Sequence, residues 1–314
     1  MKKRIDYIDI AKGIGILLVY VGHCNIGLGD DTFTVAFQWI YSFHMPFFFF
    51  VSGLLFKVKQ VRTSDFLWKK SVTLILPYIL FSFLNFTLLS LFHKCPGNIL
   101  INGWGKNPLW FIPILYLCEV LHYFIRRGNI YLKIFSILPI VLCLLWKTTF
   151  NGWLPYSVSE LAWFYMCFLS GSIFKSKIHI LLNVNFLFVI MVIVIHLIVL
   201  FSIIIPYNEN YRQQDDDVIS YIMRYCIGMI GSLGLLMFSS QISKYKYQVG
   251  LKWLGRNTLV VLCTHKLYFD ILQATCINNS LLGGVVTWIL ILLTIYIYNK
   301  WFDIYITTLK NKKI

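Results

Sequence analysis

Charge is scarce in this chain. Only 13% of its 314 residues are Asp, Glu, Lys or Arg, about half the roughly 25% of an ordinary soluble protein. That shortage excludes a globular fold with a solvated surface. No pair of the eight cysteines has C-x-x-C spacing, and no metal centre is expected. Most of them, such as Cys118, Cys143, Cys167, Cys226 and Cys263, lie in apolar runs, where a thiol acts as a small hydrophobe. Cys24, Cys95 and Cys276 fall near one predicted membrane surface and allow a disulfide between two of them. The first apolar run also lacks a small-x-small cleavage site, and it carries Asp9, Lys12 and His23. It therefore reads as a retained first helix, not a secretory leader.

What the chain has in place of charge is hydrocarbon. Apolar residues make up 58% and the mean hydropathy is +0.71. Runs of about 17 to 25 apolar residues, long enough to cross a bilayer core of roughly 30 Å as helices, recur from end to end. The hydropathy places spans near 8–26, 38–56, 71–92, 108–126, 131–148, 158–174, 180–204, 218–239, 257–275 and 281–300. The expected fold is all-α, a polytopic membrane bundle of about ten transmembrane helices forming one membrane domain over 1–314, with no fused soluble domain. Pro46 interrupts the second run, and the sixth is short.

Lys and Arg mark the cytoplasmic side of such a bundle. The N-terminus and every second loop hold 21 of the 28, against four in the opposite loops. The opposite loops hold Asp30, Asp31, Glu160, Glu209 and the run Asp215 to Asp217. Both termini are thus expected in the cytoplasm, in a multi-pass protein of the plasma or inner membrane. The net charge of +15 is explained by topology and by attraction to anionic lipid. It does not call for a nucleic-acid partner.

An ionisable side chain inside the hydrocarbon costs at least about 2.5 kcal/mol on insertion scales, so each is a candidate for function. Lys12, His23, His44 and His265 stand out. Lys12 and His23 are eleven residues apart, three helical turns plus about 20°, which puts them on one face with about 16 Å between them. Gly13, Gly15 and Gly22 on that helix leave room for a neighbouring backbone or a ligand. The plainer reading makes His23 interhelical glue and lets Lys12 snorkel to the headgroups. His44 falls at a depth similar to His23. Asp9 stands one turn before Lys12, at the spacing of an ion pair. Lys69 and Lys70 open the third span, as an anchor or as point charges for phosphate. Trp110 and Phe111 suit an interfacial aromatic belt or a platform for a sugar ring.

These residues fall in segments that resemble acyltransferase family 3, integral-membrane enzymes that O-acylate carbohydrates. RIDYIDIAKGIGILLVYVGH (4–23) is similar to the family's opening motif, a basic residue, ten residues and a histidine, with Lys12 and His23 as its ends. FHMPFFFFVSGLLF (43–56) resembles its His-Met-Pro, aromatic, Ser-Gly block. LILPY (74–78), LWFIPILY (109–116) and LGRNTLVVLCTH (254–265) match more weakly. The resemblance implies that His23 is the catalytic histidine and that Lys12 helps hold an acyl-CoA donor. The family's Arg-x-x-Arg is absent: Lys70 is followed three residues on by Thr73, which leaves Lys69 and Lys70 as substitutes.

The resulting expectation is an O-acetyltransferase that moves acetyl from cytoplasmic acetyl-CoA to a hydroxyl of a surface polysaccharide or lipid-linked glycan. His23 is the general base, and His44 orients it or binds the acceptor. Lys12, Lys69, Lys70 and Asp9 serve the donor; Trp110, Phe111 and His265 serve the acceptor, together with outward loops 93–107, 147–157 and 205–217. Transfer is direct or passes through an acyl-histidine. The rival function is a transporter or flippase that uses the buried His and Lys.

Overall fold

A computed structural model describes residues 5–23, 30–57, 61–92, 108–149, 161–204, 218–245, 248–274, 280–302 and 308. Cys24, Cys95 and Cys276, and nearly all of the three outward loops, lie outside the described residues. Among those described, the regular elements are twelve helices. They are α1 (Asp6–His23), α2 (Asp30–Leu55), α3 (Thr63–Leu91), α4 (Phe111–Arg127, entered by a 3₁₀ turn at Pro108–Trp110), α5 (Ile130–Thr149) and α6 (Leu161–Phe174). There follow α7 (Ile178–Leu182), α8 (Phe186–Val199, continued by a π turn at Leu200–Ile204), α9 (Val218–Ile242), α10 (Val249–Arg256), α11 (Thr258–Ala274) and α12 (Ser280–Ile297, continued by a π turn at Tyr298–Phe302).

Four stretches, Thr63–Leu91, Phe186–Ile203, Ile219–Ile242 and Leu282–Phe302, are long and apolar enough to cross a membrane, and shorter apolar helices accompany them. Large apolar side chains also stand on the outside, with Leu187 75%, Phe135 71% and Phe83 69% exposed. Water does not tolerate apolar surface on this scale, whereas lipid does. The protein is all-α and multi-pass in the membrane.

Several boundaries differ from the hydropathy reading. The second helix starts at Asp30, eight residues before the apolar run, because its polar first turns still satisfy helical hydrogen bonds. Pro46 sits inside α2 without ending it, its ring against Gly228 of α9. The third helix begins at Thr63 with a polar stretch that buries Phe66, and a π turn at Ser71–Ile75 joins this stretch to the apolar part. The short α7 and α10 were invisible to a window tuned to spans.

The chain divides into two compact units. The first contains Met1–Phe56, Leu144–Asn151 and Ala162–Thr258. Here α1 packs against α10, α2 and α9, and α9 packs against α2 and α8. Small residues let these backbones approach closely. A Cβ on Gly53 would fall 1.8 Å from the Phe168 carbonyl oxygen, and one on Gly171 would fall 1.9 Å from that of Phe50. So α2 and α6 meet backbone to backbone, the small-residue packing expected between helices in lipid. Phe49 stacks on Phe164 beside this contact, with ring centroids 4.4 Å apart.

The second unit contains Lys57–Cys143, Gly152–Leu161 and Leu259–Ile314. Its α3 contacts α4 through the π turn, and Asn85 donates to the Cys263 carbonyl of α11 at 3.3 Å. Phe81 of α3 stacks on Tyr298, with centroids 5.8 Å apart. The Tyr268 hydroxyl lies 2.5 Å from Thr294 Oγ1, tying α11 to α12.

Candidate active site

Helix α1 runs unbroken from Asp6 to His23, so the predicted common face of Lys12 and His23 is preserved. Its glycines are filled by neighbours. A Cβ on Gly13 would meet the Leu251 carbonyl of α10 at 2.2 Å, and on Gly15 and Gly22 it would meet the rings of Phe47 and Tyr41 at 2.9 and 3.1 Å. Gly22 thereby admits Tyr41 next to the imidazole of His23.

The Tyr41 hydroxyl lies 3.0 Å from His23 Nδ1 and 3.4 Å from Nε2. The Tyr41 ring meets His44 edge-on, with centroids 4.7 Å apart, and Phe37 stacks on it at 3.9 Å. The His44 Nδ1 is 2.9 Å from the Ile40 carbonyl. A carbonyl only accepts, so His44 carries its proton on Nδ1 and its Nε2 is the acceptor. Tyr41 thus joins the two histidines of the sequence reading into one cluster. The sequence reading did not name it, although it stands one turn before His44, as any residue facing His23 from α2 must. His23 is half-buried at the last turn of α1, not deep in the helix as its apolar surroundings suggest, while His44 is 4% exposed.

Asp9 and its neighbour Asp6 engage α10: Arg256 Nε lies 3.2 Å from Asp9 and Lys252 Nζ lies 2.7 Å from Asp6. The Asp9 carboxylate therefore serves the α1–α10 contact. In the same unit, Ser42 Oγ donates to the Trp39 carbonyl at 2.7 Å and lies 3.1 Å from His196 Nε2. With the serine proton so placed, the imidazole of His196 is the donor to Ser42. His196 is 2% exposed and locks α8 to α2.

Lys69, Lys70, Trp110, Phe111 and His265 belong to the other unit. Lys69 is exposed, whereas Lys70 donates to Glu119 of α4 at 2.8 Å. The Ser71 and Tyr116 hydroxyls pair alongside at 3.1 Å. Trp110 meets Phe111 edge-on at 6.5 Å, with Phe111 buried. His265 is fully buried and bonds the Val261 carbonyl one turn back at 2.9 Å, the geometry of a core histidine. Among the described residues, no group of three or more His, Cys, Asp or Glu could hold a metal ion.

Glu119 is 7% exposed, and its Oε2 has no hydrogen-bond partner among the described residues. Removing Lys70 would strand that carboxylate. Lys70→Met is therefore expected to destabilise the chain by about 1–3 kcal/mol, less than for fully buried pairs because the Lys70 side chain keeps 29% of its exposure. The double variant Lys70→Met/Glu119→Leu is expected to recover most of that loss, as read by thermal unfolding in detergent.

A family model described as an acyltransferase domain matches residues 5–299, through both units. No curated protein and no solved structure matches the chain.

Proposed function

The chain belongs to acyltransferase family 3 and is an enzyme of acyl-group transfer, and from that premise we propose that it moves an acetyl group from cytoplasmic acetyl-CoA to a hydroxyl of a cell-envelope carbohydrate. Ten of the twelve helices cross the cell membrane in this reading, α7 and α10 lie at its inner surface, and both termini are cytoplasmic. The observation that carries the reading is the contact of Tyr41 with His23 at 3.0 Å, with His44 packed edge-on against the same ring.

The Tyr41 contact admits two tautomers of His23. With the proton on Nδ1, His23 donates to the Tyr41 oxygen, and its Nε2 lone pair is the base. This parallels the orienting partner of a catalytic histidine in acyl-transfer enzymes. The acceptor hydroxyl gives its proton to Nε2 as its oxygen attacks the thioester carbonyl carbon. The carbon–sulfur bond then breaks, and the imidazolium returns the proton to the departing thiolate. Ester and free CoA leave. Direct transfer is preferred because the imidazole is then needed only for the proton. Lys12, three turns toward the cytoplasm on the same face, holds the donor's arm. His44, with Nε2 as an acceptor, receives a hydroxyl of the sugar.

Membranes that contain the chain, incubated with acetyl-CoA labelled in the acetyl group, should pass label to glycan. Equal labelling in membranes without the chain would sink the reading. Tyr41→Phe keeps the ring that contacts both histidines and removes only the hydroxyl. It is expected to lower kcat about three- to ten-fold, the worth of one neutral hydrogen bond, with the KM for acetyl-CoA unchanged.

A further inference from the structure

Helix α11 is enclosed along most of its length. From Val260 to Leu272 every residue is buried except two, Lys266 and Asp270. Asn85 of α3 bonds one side of this helix at the Cys263 carbonyl, and the Thr294 hydroxyl of α12 pairs with Tyr268 on another. A helix that met lipid would expose apolar side chains, as α5 does with Phe135 and Leu142. On α11 it is the charged side chains that stay accessible, 35% for Lys266 and 26% for Asp270.

The two form an ion pair, with Lys266 Nζ 2.8 Å from Asp270 Oδ1. At four residues apart they stand about 40° round the helix and about 6 Å along it, so one face carries both. Leu262, one turn earlier on that face, is buried. In the proposed topology α11 rises from the cytoplasmic side at Thr258 to the outer side at Ala274. Lys266 then lies about 12 Å from either end, and Asp270 about 6 Å below the outer one. Charges at such a depth face a water-filled space in the protein, not lipid. Leu262 ends the accessible stripe toward the cytoplasm, so the space opens outward, on the side of the acceptor.

The chemistry of the pair selects a ligand. An ionised carboxylate only accepts hydrogen bonds, and an ammonium only donates them. Side by side they match two neighbouring hydroxyls of a sugar: one gives its proton to Asp270, and the oxygen of the other receives an N–H from Lys266. The two formal charges cancel, so an anion drawn to the lysine is repelled by the aspartate beside it. A few polar groups of this kind fix the orientation of a neutral ligand.

We infer that Lys266 and Asp270 form a subsite for a neutral sugar with vicinal hydroxyls, reached from the outer side of the membrane. The inference rests on the proposed topology for its side and on the acyltransferase reading for the identity of the sugar as part of the acceptor, but not for the binding of a sugar.

The test is binding of glucose, galactose and mannose to the purified full-length chain in lipid nanodiscs, without acyl donor, read by saturation-transfer NMR. At least one of the three is expected to bind saturably. Asp270→Asn should weaken that binding about ten-fold or more, the usual effect of losing a hydrogen bond to a charged group. Lys266→Met/Asp270→Leu removes both charges together and strands neither. It should keep the wild-type thermal midpoint and lose the sugar. No saturable binding of any of the three hexoses by the wild type overturns the inference, as does an affinity that survives in the double variant. Should the double variant fail to fold, the wild type and Asp270→Asn still decide. In intact cells, Lys266→Ala/Asp270→Cys should be labelled by a membrane-impermeant maleimide above the wild-type background, and Leu262→Cys should not. Labelling of the first variant that is absent from cells, or seen only in inverted vesicles, refutes the outward opening and the proposal with it. Because no donor is present in the binding assay, a chain that binds hexose and transfers no acyl group would overturn the enzymatic reading and leave this one standing.

Discussion

Replacing His23 with alanine is expected to lower acyl transfer to glycan by about 10²- to 10⁴-fold, the usual contribution of a positioned general base. The effect should fall on kcat, because in the proposed mechanism the imidazole acts on the proton in flight and contributes little to holding the donor. His23→Gln should be almost as inactive, since the amide can still hydrogen-bond Tyr41 but cannot take a proton at neutral pH. At matched expression, the measurement is label passed from acetyl-CoA to glycan in membranes. A His23→Ala chain with at least half the wild-type rate would remove the mechanism. His23 ends α1 and is only half-buried, so its loss should leave the thermal midpoint nearly unchanged and separate chemistry from folding.

The largest stability effect is expected from Gly255→Val in α10. Even a Cβ there would stand 1.8 Å from the Asp9 carbonyl oxygen and 2.7 Å from its carbon. These are backbone atoms of α1 and cannot swing aside like a side-chain tip. The helices would have to separate, pulling Arg256 and Lys252 away from Asp9 and Asp6. Overpacking of this kind costs about 1–3 kcal/mol and occasionally more, which should show as a lower thermal midpoint and reduced yield from membranes. Gly250 on the same short helix supplies the control, because a Cβ there meets nothing within 4 Å among the described residues. Gly250→Ala should be neutral. Equal effects at the two positions would contradict the close contact of α1 with α10.

The all-α, multi-pass character was legible because lipid selects for apolar length, and four of the long apolar runs are helices long enough to cross a membrane. The short helices α7 and α10 were not, since elements of 5 and 8 residues leave no apolar signal of span length, and α10 is held by contacts such as Lys252 with Asp6, which join residues far apart in sequence. Within the site, the cost of an ionisable group in hydrocarbon singled out Lys12, His23, His44 and His265. The same rule applies equally to Glu119, His122, His196 and Arg224, all buried in helices. It marks expense without showing which expense is answered by a partner. His265 has a carbonyl one turn back and reads as core, and Lys70 has a carboxylate on α4. Tyr41 was hidden for another reason: among 19 tyrosines and 26 phenylalanines, one more aromatic carries no signal until a neighbouring helix brings a histidine against it.

The ion pairs between α1 and α10 also set a clock. Asp6 and Asp9 stand 246 and 247 residues ahead of their partners. At ribosomal speeds of about 5–20 residues per second, α1 waits on the order of 10 to 50 s after its own synthesis before Lys252 and Arg256 exist. During that interval the helix bearing His23 sits in the bilayer with its acidic end unmatched by α10. Final seating of the helix that carries His23 is therefore a late event in biogenesis. A nascent chain stopped before Val249 would hold His23 on a helix that has not yet met α10.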